Sequence, residues 1–333
     1  MDRMDFTQSV TRIRVMEKKL LDSVTIDKLV DAKDLDDVLR ILQDTEYADA
    51  ISKISDKKDT EKILSYELNK SFKEMQELSP DESIIDLLKL KYDYHNLKVM
   101  LKEYFMNSDL SKMYIPIGTV DFEKLKAFFL SSDYKNIPEK FREAINTVVK
   151  DYEEKKDPQR IDIILDKFYF EDLYDLAIKT EIEMIVNYVK DNIDFINILT
   201  ALRLKKLDKD IQFLRDILIE NGNIDPEEIA IIYLESPDNM VMKFKNSRIS
   251  KWLKNGLETY NSSGRISAFE KSMDNHLINL IKESKTVVFG PEPIFAYLVA
   301  KEMEIKVLRI IMVSKLNNIS PQAIRERLRE LYV

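Results

Sequence analysis

Two acid–amide pairs, Asp93 with Asn96 and Asp194 with Asn197, stand at i, i+3 spacing, which puts both members of each pair on one helix face. A third site of similar kind carries Glu304, with Arg309 shortly after it. Carboxylates repeated in this way could build a metal or general acid–base cluster, or act as polar pins that fix the register of buried helices. The surroundings favour pins. Asp194 lies in Ile193-Asp194-Phe195-Ile196-Asn197-Ile198-Leu199, an apolar run where an unpartnered charge is costly. Catalytic clusters also rarely recur in three sequential copies. A Lys or Arg from a neighbouring helix is the expected partner of each buried acid. The assignment is therefore structural pins at Asp93, Asn96, Asp194, Asn197, Glu304 and Arg309, with no catalytic, cofactor or metal-binding residue.

Other chemistry is sparse. His95 and His276 are isolated and lack metal-ligand spacing; His95, on the side of its helix that carries Lys91 and Lys98, reads as solvated. The absence of cysteine removes disulfides, thiolate catalysis and Cys-based zinc sites together. No glycine-rich phosphate loop is present, so no nucleotide binding is expected. Between Asp238 and Glu258 no acid interrupts Lys243, Lys245, Arg248, Lys251 and Lys254, which accompany the only tryptophan, Trp252. This local charge reversal reads either as a solvated helix face or as a contact for an acidic partner. Phe289-Gly290-Pro291-Glu292-Pro293 reads as a rigid turn.

The elements that must carry these residues are helices. Leu35, Val38, Leu39 and Leu42 form one buried stripe, as do Leu87, Leu90, Tyr94, Leu97, Leu101 and Phe105 in the stretch Ile84–Phe105. Ser79-Pro80-Asp81-Glu82, Asp225-Pro226-Glu227-Glu228 and Ser320-Pro321 read as helix starts, with a capping side chain ahead of proline. Middle helices are expected near Thr60–Leu78, Arg160–Thr180 and Ile266–Ser284. Strand signals are confined to Thr286-Val287-Val288-Phe289, which lacks a partner, so the fold class is all-α.

The helices repeat. Asp34 and Asp121 each open a short amphipathic helix and each precede a tyrosine, Tyr47 and Tyr134, by thirteen residues. A third copy opens at Asp225 without the tyrosine, and Gly118 and Gly222 stand three residues ahead of their acids. The spacing of about a hundred residues exceeds that of the common solenoids, which is roughly 20–50. It suggests three sequential homologous helical domains at 1–115, 116–221 and 222–333. A formal charge of −8 argues against general nucleic-acid binding. The charged N-terminus has no apolar signal core, and Ile305–Val313 is too short to span a bilayer. A soluble chain that meets a membrane only through partners is expected.

The C-terminal blocks Phe289–Pro293, Ala296–Glu302, Glu304–Lys306, Leu308–Ile311 and Lys315-Leu316, and the tail Ile324–Val333, resemble the C subunit of A/V-type ATPases, whose eukaryotic counterpart is the d subunit. Thr11–Arg14, Glu17–Leu21 and Lys91–Lys98 are also similar to that family, so the resemblance covers essentially the whole chain. Val307 departs from it where the family commonly has Asn and where the first two copies keep Asn96 and Asn197. The resemblance implies a pseudo-threefold funnel of three helical domains in the central stalk. It also implies a position on the cytoplasmic face of the membrane rotor ring, where the funnel receives the foot of an axle made of the D and F subunits. On that reading the chain transmits torque and has no ATPase activity of its own. A free-standing helical adaptor and a carboxylate metalloenzyme are the alternatives.

Overall fold

A computed structural model describes residues 2–54, 56 and 59–333. The first part of the chain forms α1 (Thr7–Glu17), α2 (Ser23–Asp31), α3 (Leu35–Leu42), α4 (Ala48–Lys53), α5 (Thr60–Leu78) and α6 (Ser83–Met106). The middle part forms α7 (Phe122–Leu130), α8 (Glu139–Lys155), α9 (Pro158–Thr180) and α10 (Glu183–Lys206). The last forms α11 (Ile211–Ile217), α12 (Pro226–Tyr233), α13 (Pro237–Lys243), α14 (Ser250–Ser263), α15 (Ile266–Ile281), α16 (Glu292–Leu316) and α17 (Pro321–Arg327). Four short 3₁₀ turns complete the regular structure, and no strand occurs among the described residues.

The three capped short helices start where the acids stand. Asp34 accepts from the Asp37 N–H, Asp121 from that of Lys124 and Asp225 from that of Glu227, each satisfying a first-turn donor that the helix cannot pair itself. Ser320 caps α17 in the same way. The start expected at Ser79-Pro80 is displaced. Ser79 instead closes α5, its N–H bonded to Met75 O, and α6 begins at Ser83, whose N–H is taken by Asp81 Oδ1. The Ser-Pro pair is thus the joint between two helices rather than the first turn of the second.

The three long helices α6, α10 and α16 run for 24, 24 and 25 residues, each roughly 36 Å at 1.5 Å per residue. They are apolar over most of their circumference, as expected of a helix covered on several sides. In α16 nineteen of the residues from Glu292 to Lys315 are buried.

Each long helix pairs antiparallel with a middle helix that follows it in the chain, except the last. On α6, Tyr94 donates to Asp172 of α9 at 2.6 Å, and Lys98 and Lys102 reach Asp166 and Asp162. Across α10 and α15, Asp191 meets His276 and Arg203 meets Glu270. The partner of α16 is α5, near the start of the chain: Lys301 faces Glu67, and Arg309 forms a two-bond pair with Glu61. Helices α1 and α3 also pack on α16. One hydrophobic core joins α1–α9 with α16; a second gathers the C-terminal half of α10 with α11–α15 around Phe195, Leu253 and Phe269.

Candidate functional site: polar anchors and the basic segment

Asp93 and Asn96 lie on the buried side of α6 and hold the segment that leads into α7. The Asn96 amide donates to Ile115 O at 2.8 Å and accepts from the Ile115 N–H at 2.9 Å. Asp93 accepts from the Thr119 N–H at 3.0 Å and from its hydroxyl at 2.8 Å, with the Val120 N–H farther off at 3.4 Å. The same arrangement recurs on α10. Asn197 donates to Ile219 O at 2.7 Å and accepts from the Ile219 N–H at 2.8 Å. Asp194 accepts from the Ile224 N–H at 2.9 Å and the Asn223 side chain at 3.2 Å.

The glycines explain how the backbone comes so close. A Cβ on Gly118 would overlap Asp93 Oδ1, and one on Gly222 would overlap Asp194 Oδ1. Glycine at these two positions is a requirement of close approach rather than of backbone angle. The partners are therefore backbone N–H groups and small polar side chains, not the Lys or Arg expected from sequence. The reason is that the acids face a connecting loop, which offers unpaired amides, and not another helix. Burial raises the carboxyl of Asp93 above its usual range and pushes that of Asp194 up to about 7, while the N–H donors pull the other way.

The third copy is built differently. Glu304 is buried in α16 and accepts from the Leu21 N–H at 2.5 Å, the Tyr47 hydroxyl at 2.8 Å and Lys301 Nζ at 2.8 Å. Val307, where the other copies have asparagine, is buried and apolar. Lys315 takes over the backbone contact farther along the helix, donating at 2.6 Å to the carbonyls of Val30 and Ala32 just ahead of α3. Arg309 lies at the surface on Glu61, away from Glu304's partners, and so is not a buried pin.

Sequence reasoning missed Lys301 and Glu67. Lys301 is 1% exposed, sits over the Tyr47 ring and lies between Glu304 and Glu67, the latter at 3.7 Å. Burial pulls its ammonium down, but Glu304 and Tyr297 outweigh that and the net shift is upward. Burial pushes Glu67 up to about 7, against the pull of Lys301. A second missed group centres on Asp191, fully buried and bonded to His276 Nε2 at 2.8 Å, Asn223 Nδ2 at 3.0 Å and Arg248 Nε at 3.3 Å. His276 is thus a buried partner of an acid rather than an isolated residue. His95 is half-buried, its Nε2 at 2.9 Å from Met113 O, rather than solvated.

The basic segment spans the end of α13, a loop and the start of α14. Two of its cations find acids distant in sequence, Lys243 pairing with Glu228 and Arg248 reaching Asp191, while Lys254 stands 3.8 Å from Glu258 one helical turn on. Lys251 lies over the Trp252 ring, and Lys245 is exposed. Arg248 links this segment to the anchors through Asp191 and Asn223, and the Trp252 ring packs against His276 beside them.

Chemically, these carboxylates are committed to backbone and ammonium donors, and what they do is tie one chain segment to another. Among the described residues, no group of three or more His, Asp or Glu is placed to hold a metal ion. No described helix is long and apolar enough to cross a membrane.

Similarity to known proteins extends along nearly the whole chain. The chain is 26% identical to the C subunit of the V-type sodium ATPase of Enterococcus hirae over 99% of both chains. It is 24% identical to the C subunit of the A-type ATP synthase of Methanocaldococcus jannaschii, covering 96% of this chain and 85% of that one. The corresponding protein of Desulfurococcus sp. is 26% identical, with 95% and 88% covered. The family model for the ATP synthase (C/AC39) subunit matches residues 9–327, and the chain belongs to that family.

Proposed function

We propose that this chain is a rigid socket that couples a central axle to a membrane rotor ring. As a member of its family it is a non-catalytic central-stalk subunit of a rotary ATPase. The observation that carries the mechanical reading is the order of helix pairing. Helices α6 and α10 pack on the middle helices that follow them, α9 and α15, and α16 returns to α5 at the start of the chain. Three sequence units at 1–115, 116–221 and 222–333, each lending its long helix to the next, close into a pseudo-threefold ring. A closed trio with dense helix contacts transmits torque because interiors of this packing density deform little under load. The acid–amide anchors at Asp93/Asn96 and Asp194/Asn197, with Glu304 in the third unit, lock each junction to the long helix before it.

The partners are the D and F subunits of the axle on one side and the ring on the other, with the chain on the cytoplasmic face of the membrane and touching it only through the ring. A ring-facing surface is supported by exposed apolar residues that recur in register. Met106 and Leu207, 52% and 65% exposed, each follow their helix's anchoring Asp by thirteen residues. Leu130 and Leu234, 59% and 71% exposed, each follow their capping Asp by nine. At the joint of the third long helix with the first unit, Asn317 and Gln43 hold the corresponding places, with Leu316 exposed beside Asn317. An apolar position repeated at two of the three joints, with Leu316 beside the third, suits a partner made of identical subunits. Pull-down of the tagged chain with a purified D–F axle and, separately, with a detergent-solubilised ring tests the reading. Capture of both is expected; capture of neither by the folded chain would leave a helical adaptor of another assembly.

A further inference from the structure

A cleft of about 1220 Å³ opens between α14, α15, α16 and the C-terminal tail. That is larger than the roughly 300–1,000 Å³ of a small-molecule site. Trp252, Ile310 and Val313 provide its apolar floor. Six cations surround the floor: Arg265, Lys271, Lys306, Arg309, Arg327 and Arg329. The lining includes only two acids, Glu326 and Glu330, in a chain whose formal charge is −8.

Of the six, Arg309 alone has a carboxylate to itself, that of Glu61. Lys306 and Arg329 share one carboxylate oxygen of Asp274, at 2.6 and 2.9 Å. Lys271 donates to the backbone carbonyl of Glu326, and burial, with Arg329 nearby, pulls its ammonium down. The side chains of Arg265 and Arg327 are exposed and make no ion pair among the described residues. Cations gathered in this way repel one another and favour an anionic occupant.

The walls define its shape. On α14 the lining runs from Trp252 to Ser263, and on α16 from Lys306 to Ser314, each as one helical stripe. The longer stripe extends roughly 16 Å, about three helical turns. We infer that this cleft is a docking groove for an acidic amphipathic helix of a partner polypeptide. Its apolar stripe lies on Trp252, Ile310 and Val313, and carboxylates on its flanks face Arg265, Lys271 and Arg327. A phosphodiester chain has no continuous apolar stripe to cover that floor. Helix-in-groove recognition of this type anchors through residues at i, i+3, i+4 and i+7. The inference goes beyond the coupling role and does not depend on it, because the groove is tested on the isolated chain of 333 residues.

Trp252 is the only tryptophan, so its emission reports on the cleft. The chain is titrated with a synthetic helix of about four turns, bearing leucine along one stripe and glutamate on both flanks. Control titrations use the same peptide with lysine for glutamate, the same peptide with glutamine for leucine, inorganic phosphate, and phosphatidylglycerol vesicles. The glutamate–leucine peptide is expected to give a saturable blue shift and to bind at least about tenfold more tightly than either altered peptide. Arg265→Glu with Arg327→Glu, at exposed unpaired positions, is expected to weaken it by about tenfold or more while the melting temperature stays unchanged. Val313→Asp, at a residue 44% exposed, gives an independent loss through the floor. Equal binding of the lysine peptide, no loss in either variant, or the same saturable shift from phosphate or vesicles would overturn the proposal.

Discussion

A carboxylate inside a helical core usually meets a cation, yet Asp93 and Asp194 meet the amides of a passing loop. Each acid satisfies backbone donors that burial would otherwise leave unpaired, and the glycine three residues ahead of the next cap makes room for it. Asp194→Ala is expected to lower stability by about 2–3 kcal/mol in urea unfolding, since it removes bonds to a charge-bearing group and leaves the Ile224 N–H buried. Gly222→Ala should cost about 1–3 kcal/mol through overlap with the same carboxylate. The two changes should combine to less than their sum, because the alanine has no carboxylate to strike once Asp194 is gone. Full additivity would show that Gly222 matters for another reason.

At the scale of elements, the joint between α16 and α5 depends on a buried trio of charges. Lys301→Ala would leave the buried Glu304 without its ammonium and Glu67 with Lys70 alone, at 3.6 Å, and a loss of about 3–5 kcal/mol is expected. The joint also carries a pH signature. The folded carboxyl of Glu67 is raised from 4.5 to about 7, so between these values the folded state holds a proton that the unfolded chain has released. Its contribution to stability therefore falls as pH rises from about 4.5 to 7. Glu67→Gln removes that loss. The variant should gain in melting temperature relative to the parent at pH 7.5, and the difference should shrink towards pH 5. A difference independent of pH would mean that Glu67 does not titrate in this window.

For the molecule as a whole, the proposed closure rests on the last long helix, which packs on α1, α3 and α5 of the first part of the chain. Removing α16 by truncation before Glu292 is expected to increase hydrogen exchange in α3 and α5 far more than in α8. The reason is that α16 packs on α3 and α5, and its Glu304 holds Leu21 and Tyr47, whereas α8 packs chiefly on α9. Uniform exchange increases would argue against a closed order of units. On the outer surface, Leu234→Asp should change stability by less than about 0.5 kcal/mol, as is usual for exposed positions. The same change should reduce capture by the rotor ring. Retention of ring binding would move the contact elsewhere on the surface.

Helix positions and repetition were legible in the chain because they are local. A capping aspartate, a stripe at helical spacing and a glycine ahead of the cap each act within a few residues, so Asp34, Asp121 and Asp225 mark helix starts correctly. The spacing of Asp93/Asn96 and Asp194/Asn197 likewise tells that each pair shares a helix face. It does not tell what meets that face. Whether an acid is answered by a lysine or by a loop amide depends on which segment folds across it, and that segment lies 19 to 30 residues away in the two copies. The same limit hid Lys301 and Lys315, which look like surface lysines until α16 is enclosed by α1, α3 and α5. It also hid the compensation of the basic segment by Asp191 and Glu228 on other helices. Helices, caps and their recurrence can be read along the chain, since they follow from short-range sterics and hydrogen bonding. Which long helix joins which unit, and which buried charges meet, came from packing between segments up to 315 residues apart, a distance over which no local pattern reports.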